Sequence, residues 1–371
     1  MVPDPDADPF PGFVSTVLPE LGGYRDIRRS WGTRGTIKAA AAAHGLEVDE
    51  YPGGIQVLRR DGRTIGMMHK MVSSLVPLPV APLCRDKEST SAVLRGAGLP
   101  VPATRSFRAA ERAEAVEYAL GLGRAVVKPR DGRAGAGVAI DLTERVEVEA
   151  AWDAAQQLDP AGVVLVEEHV VGMDVRVTTV GARAAGVCVR LPRFVVGDGV
   201  RPIPELVQEH RARRHAHAHF REGEFPPLGT VLEDRVPARG EVVLLGRRAI
   251  MANAETAELL GTGRVHQEHL ELALQVARAL GTGMCGVDLI VADPSRPGGA
   301  VINEVNTSPN LRLHHFPAYG ASSDVAGAIV AEMISRAEHG LPSAGWLADT
   351  SPEGGLRRRF GLGRGRGRSR R

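Results

Sequence analysis

The sequence predicts a mixed α+β (α/β) fold with two subdomains and a small N-terminal unit, and three observations carry that prediction. Short β-branched runs alternate with amphipathic helical patterns through residues 84–320. A glycine loop, DGRAGAG, lies between two strand patterns and not ahead of a helix. The 371 residues, 43% hydrophobic and 24% charged, have globular composition, and at roughly 150 residues per domain they make two or three units.

Taken in order, residues 1–30 are rich in Pro, Asp and Gly with no sustained period and read as an irregular segment. Residues 31–84 read as a small α+β domain. It holds an Ala-rich helix over 36–44 ended by Gly45, then two strands turned at Asp61-Gly62. Residues 85–170 form the next subdomain. Asp86 is the N-cap of a helix ended by Gly96 and Gly98, and a second helix over 109–120 presents Ala113, Val116 and Leu120. Strand RAVVKP, the glycine loop, strand VAIDL, a helix over 145–158 and strand VVLVEEHV complete it. Residues 171–340 begin with two strands about a tight turn and a polar His- and Arg-rich stretch at 202–224. Strand EVVLLG follows, then a helix with Leu270, Leu274, Ala277 and Leu280 on one face and Gly281 just past its end. Strands MCGVDLIVA and AVINEVN close this part, and residues 341–371 read as a disordered Arg/Gly-rich tail.

Charge and cysteine content exclude several classes. The net charge is +2, but eight arginines and no acid lie in the last sixteen residues; removing those eight charges leaves −6 for the rest. No stretch approaches the roughly 18 apolar residues of a membrane span. The acidic, proline-rich start is unlike a secretory signal, so a cytoplasmic location is expected. Cys84, Cys188 and Cys285 have neither disulfide nor zinc spacing and are expected to be buried small hydrophobes. Only four of the 46 basic residues are lysine, which singles out Lys87 and Lys128 as positions where a compact ammonium is needed.

Three constellations carry chemistry. Asp288 in GVDLIV faces Glu304 and Asn306 in INEVN if the two strands pair, and two carboxylates with an amide suit a hard cation such as Mg²⁺. In VVKPRDGRAGAGV, Lys128 ends a strand, and the glycines at 132, 135 and 137 free backbone amides to approach phosphates. LVEEHVVGMD ends an apolar strand in Glu167 and Glu168, with Asp174 six residues after Glu168, and can supply contacts to a base and a ribose.

In this order these residues resemble the ATP-grasp superfamily. The stretches RLPRFVVGDGVRPIPELV, CGVDLIV and INEVNTSPNLRLHHFPAYG are most similar to the ligase domain of cyanophycin synthetases and of fused glutathione-synthesising enzymes; NEVNTSP is also similar to D-alanine-D-alanine ligases. The resemblance implies an ATP-grasp fold, two α+β subdomains holding ATP between them, in an ADP-forming carboxylate-amine ligase. It implies Lys87, Lys128, Gly135 and Gly137 on the phosphates, and Glu167, Glu168 and Val170 at the adenine. Asp174 would hold the ribose, and Asp288, Glu304 and Asn306 a Mg²⁺ or Mn²⁺. Arg190, Arg247 and Arg312 would face the phosphates or substrate, with Ser308 and Arg312 binding it. The implied substrates are amino acids or short peptides, and the implied assembly is a homo-oligomer.

Only the middle of the cyanophycin family's pattern is covered, so a stand-alone ligase is expected. Where that family has a Ser-Thr-Gly-Gly run, this sequence has RRAIMANAET, which implies a different substrate pocket. The alternatives are a γ-glutamyl or glutathione-type ligase and, in another class, a nucleotide-binding accessory protein of a peptide-modifying complex. His215, His217 and His219 could share one side of an extended run, but a solvated loop is the favoured reading over a metal site. The tail is read as solubilising in preference to binding nucleic acid.

Overall fold

The computed structural model describes residues 10–130, 136–159, 161–220, 234–245, 257–261 and 264–347. The chain opens with α1 (Phe10–Leu21) and, after an extended segment, α2 (Thr33–Ala43). An antiparallel meander follows: β1 (Glu47–Tyr51), β2 (Ile55–Arg60), β3 (Arg63–His69) and β4 (Val72–Ser73). The helix α1 corrects the irregular reading of residues 1–30. Phe13, Val14 and Val17 form a buried face there, while Pro11 sits in the first turn, where its missing N–H costs nothing, and Pro19 disguises the helical pattern.

The next unit runs α3 (Val80–Arg85), α4 (Lys87–Gly96), β5 (Thr104–Phe107), a single 3-10 turn, α5 (Arg112–Gly121), β6 (Ala125–Pro129), β7 (Ala139–Leu142), α6 (Arg145–Leu158) and β8 (Val164–Glu168). Its strands form one antiparallel sheet in the order β5-β8-β6-β7. Its helices cover that sheet with a core of its own around Phe107, Val127, Trp152 and Val166. Each such large side chain contributes about 1.5–3 kcal/mol by leaving water. The apolar face of α5 is Ala115, Val116 and Ala119, rotated from the expected one, and Ala113 is exposed. Small alanines pack closest to the sheet, so hydrophobic size alone pointed to the wrong stripe.

The remainder contains β9 (Met173–Val180), β10 (Arg183–Pro192), β11 (Phe194–Val196), α7 (Ile203–Ala216), β12 (Val242–Leu244), β13 (Ala257–Gly261), α8 (Gln267–Ala279), β14 (Met284–Val291), β15 (Ala300–Asn306), α9 (Arg312–His315), β16 (Tyr319–Gly320) and α10 (Val325–Glu338). A six-stranded sheet in the order β15-β14-β9-β10-β13-β16 is its centre. All of β9 is buried, as a central strand covered on both faces must be. On α8, Ala273, Val276 and Ala277 lie deepest and Leu270 and Leu274 are half-buried. Gly281 takes φ +64° past the helix end, the left-handed turn that glycine permits without strain.

Three further expectations change. The polar stretch after residue 202 is mostly helical, as α7, with Leu206, Val207 and His210 buried, and His217 and His219 beyond it are also buried. They are therefore not part of a solvated loop; only His215 is exposed. The C-terminal segment stays packed to Leu347: Gly345 N donates to Leu75 O and Trp346 N to Gly281 O, both at 3.1 Å. The rest of the expected tail, 348–371, lies outside the described residues. Finally, the N-terminal sheet shares one core with the six-stranded sheet, Leu58 and Met68 joining Val330 and Met333 of α10. Gly66 allows this contact, since a Cβ there would collide with Met333 Sδ.

Candidate active site

Asp86 caps α4, its Oδ1 accepting from Ser89 N at 2.7 Å, and this fixes Lys87 at the first turn. Lys87 Nζ lies 3.9 Å from Glu304 Oε2 on β15. Lys128, near the end of β6, donates to Glu167 on the adjacent strand β8, and both are buried. Burial pushes the Lys128 ammonium down and the nearby Lys87 adds to this, while Glu304 pulls it back up. Lys87 therefore stands between the two sheets, with Lys128 and Glu167 on one side and Glu304 on the other. A shallow cleft opens beside it, lined by Cys84, Lys87, Thr90, Leu94, Ile302 and Glu304.

The second half of the site is a ladder of charge on one face of the six-stranded sheet. Asp288 pairs in register with Glu304 on one side and Arg176 on the other, and Asp174 pairs with Arg190. Arg176 clamps Asp288 with Nε and with Nη2, the latter at 2.7 Å from Oδ2. Arg190 grips Asp174 with Nε at 2.8 Å from Oδ1 and Nη2 at 2.7 Å from Oδ2, and its Nη2 also reaches Asp288 Oδ1 at 2.8 Å. Asn306 Nδ2 donates to Asp288 Oδ2 at 3.3 Å. Burial alone would raise the Asp288 carboxyl, but Arg176 and Arg190 hold it down at about 2. Burial pushes Asp174 up to about 6 against the pull of Arg190, with Asp288 repelling it further.

Most of the residues singled out in the sequence converge. Lys87, Lys128, Glu167, Asp288, Glu304, Asn306 and Arg190 form one contiguous set, and Gly137, at φ +71°, closes the loop after β6 against Pro129 and Leu158. Glu168 is exposed at the end of β8, where it bonds Ala103, and Val170 is half-buried in the following turn. Asp174 is buried in the ladder, where both its oxygens accept from Arg190. Ser308 is half-buried in the loop leading to Arg312. Gly135 and Arg247 lie outside the described residues, as does all of RRAIMANAET.

The sequence reading missed Arg176. Its signal was there: in DVRVTTV it is the only cation, and it shares a strand face with Asp174 while Val175 and Val177 take the other. Cys84, Cys188 and Cys285 are free and buried as expected, and burial raises each thiol, two of them to about 12.

A Mg²⁺ would need oxygen donors, and Asp288, Glu304 and Asn306 supply two carboxylates and an amide side by side, with Glu304 still partly open to solvent. The donor set fits a hard cation.

No family model matches the chain. It is 32% identical over 274 residues to the cyanophycin synthetase of Trichormus variabilis, covering 70% of this chain and 30% of that protein. It is 29% identical over 285 residues to the glutathione biosynthesis bifunctional protein of Mannheimia succiniciproducens, covering 69% and 36%. The chain thus spans about a third of the length of these curated relatives. The crystal structure of a bifunctional glutathione synthetase from Pasteurella multocida shares the fold, with TM-score 0.60 at 23% identity over 80% of this chain and 44% of that one. No helix among the described residues is long and apolar enough to cross a membrane. With its two sheets gripping one charged cleft, and with these relatives, the chain has the ATP-grasp fold.

Proposed function

We propose that the protein is an ATP-dependent carboxylate-amine ligase that joins an amino acid to another amino acid or short peptide through an acyl phosphate. The observation that carries this reading is the convergence of Lys87, Lys128, Glu304 and Asp288 between the two sheets. In the first step a carboxylate oxygen of the acid attacks the γ-phosphorus of ATP, and the bond to the β-phosphate oxygen breaks to release ADP. In the second, the amine nitrogen attacks the acyl carbon, phosphate leaves, and the nitrogen gives up a proton. No side chain need act as nucleophile; positioning and charge neutralisation are the protein's work.

Lys87 and Lys128 would hold phosphate oxygens, and release from Glu304 and Glu167 frees both ammonium groups for that role. Asp288, Glu304 and Asn306 would hold Mg²⁺, or Mn²⁺ in its place, which when bound neutralises phosphate charge. Arg176 and Arg190 balance Asp288 in its absence and can turn toward the transferred phosphoryl group. Glu167, Glu168 and Val170 lie at the sheet edge proposed for the adenine. A cytoplasmic setting, where ATP is supplied, and a homo-oligomeric assembly belong to the same proposal.

The test is phosphate release from ATP and Mg²⁺ across pairs of amino acids, beside ATP affinity. At least one acid/amine pair should release phosphate, and Glu304→Ala should abolish that turnover and weaken ATP binding. Silence across all pairs together with unchanged ATP affinity in Glu304→Ala would overturn the reading. A glutathione-type reaction is favoured as the second reading by the relative from Mannheimia succiniciproducens. Acceptance of glutamate or a γ-glutamyl peptide as the acyl donor distinguishes it.

A further inference from the structure

Beyond the charged ladder the chain builds a second cationic centre on a different plan. Arg312 opens α9, and among the described residues its guanidinium is held only by neutral oxygens: His219 O at 3.2 Å and Ser30 Oγ at 3.4 Å. Its Nε is buried without a hydrogen-bond partner, and no carboxylate forms an ion pair with it among the described residues. Beside it, the His219 ring is 8% exposed, and neither ring nitrogen has a partner among the described residues. Burial, and then Arg312, His217 and Arg214, push His219 down to about 3, so at neutral pH it carries one unused N–H and one unused lone pair.

Aromatic rings frame this centre. The Phe316 ring lies 6.5 Å from His219 and 6.3 Å from Trp31, whose indole is 54% exposed at the rim. The segment carrying Ser30 and Trp31 is fixed by backbone bonds, Arg25 N to Ala318 O at 2.8 Å and Ala218 N to Ile27 O at 2.7 Å. Ser30 Oγ adds a bond to Ala218 O at 3.1 Å. The centre also adjoins the ladder. The loop from Asn306 to Arg312 is short, and its Pro309 packs where a Cβ on Gly286 would stand 2.8 Å from it and 3.3 Å from Arg176.

We propose that Arg312 and His219 receive the free carboxylate of the amine-bearing substrate, and that Trp31 and Phe316 form the wall that selects an aromatic side chain on it. This rests on the ligase reading. The acid substrate spends its carboxylate at the phosphates, but an amino acid that attacks through its amine keeps its own carboxylate, which needs a separate cation. A carboxylate supplies the acceptors that Arg312 Nε and the His219 N–H lack, and charge-assisted bonds of this kind are the strong ones. A flat ring then stacks against the exposed indole.

The experiment titrates the full chain, with ADP and MgCl₂ present, against the twenty common amino acids and L-phenylalaninamide, by calorimetry and tryptophan emission. An aromatic amino acid should bind at least about tenfold more tightly than glycine, and L-phenylalaninamide at least about tenfold more weakly than L-phenylalanine. Trp31→Ala should erase the preference for an aromatic side chain, and Arg312→Gln the preference for acid over amide, both with ADP affinity unchanged. The inference is overturned if glycine matches L-phenylalanine, if the amide matches the acid, or if no amino acid binds a protein that binds ADP. Failure of the unaltered protein to bind ADP would instead sink the ligase reading beneath it.

Discussion

The two ends of the cleft handle buried charge in opposite ways. At the end built around Lys87 and Asp288 each cation meets a carboxylate: Lys128 on Glu167, Lys87 near Glu304, Arg176 on Asp288, Arg190 on Asp174 and Asp288. At the other end Arg312 rests on a carbonyl and a hydroxyl, and His219 offers two idle nitrogens. Buried polar groups left without partners cost free energy, so an end built that way is reserved for something that supplies them. The paired end holds its shape without a ligand; the unpaired end is completed by one.

The largest expected effect tests the paired end. Asp288→Ala would leave Arg176 facing no carboxylate and Arg190 facing only Asp174. Breaking a buried pair from one side costs about 3–5 kcal/mol, to be read as a fall in unfolding free energy in urea. Asp288→Asn, which keeps the shape and one of the two acceptor oxygens, should lose part of that. A small loss in the alanine variant would mean the ladder is looser than its distances imply.

The next effect, from the unpaired end, is a pH dependence. The folded state holds His219 at about 3 against 6.5 when unfolded, so the folded protein binds fewer protons between these values. The stability this provides is complete above 6.5 and is lost as the pH falls from 6.5 toward 3, by about 1.4 kcal/mol per unit inside that window. Between pH 7 and pH 5 the unaltered protein should therefore lose about 2 kcal/mol more than His219→Leu does, as measured by urea unfolding at each pH. Equal losses in both proteins would place His219 in contact with solvent.

These two ends also differed in how far the sequence revealed them. Asp288, Glu304 and Asn306 lie on two neighbouring strands joined by a short turn, so residue parity along a strand was enough to bring them together. Lys87 and Lys128 stood out because lysine is scarce. Arg176 obeyed the same parity and was overlooked only because it lies among valines. The centre at Arg312 was not legible: it needs Ser30 and His219, respectively 282 and 93 positions away, and no local pattern encodes such a meeting. The helix α1 was hidden by its prolines, and the burial of His217 and His219 by the polar composition around them.

A smaller effect probes whether the lysines are chosen for shape. Lys128 is buried between Glu167 and the neighbourhood of Lys87 and Glu304, a slot for a compact ammonium. An arginine keeps the charge but brings a wider planar fork and cannot give up its proton. Lys128→Arg should weaken ATP binding by about tenfold, or about 1.4 kcal/mol, by calorimetry. Unchanged affinity would reduce the scarcity of lysine to a matter of coding bias.

The smallest expected effect is the most discriminating between the two ends. Arg312→Gln removes a half-buried guanidinium whose partners are two neutral oxygens at 3.2 and 3.4 Å. Such bonds contribute about 0.5–1.5 kcal/mol each at good geometry and less at this length. Their loss is offset by removing a charge with no carboxylate beside it. The unfolding free energy should therefore change by less than about 1 kcal/mol, where Arg190→Gln, which abandons Asp174 and Asp288, should cost several-fold more. If Arg312→Gln were as destabilising as Arg190→Gln, Arg312 would be a structural residue of the C-terminal subdomain, and the contrast between a self-balanced end and a ligand-completed end would collapse.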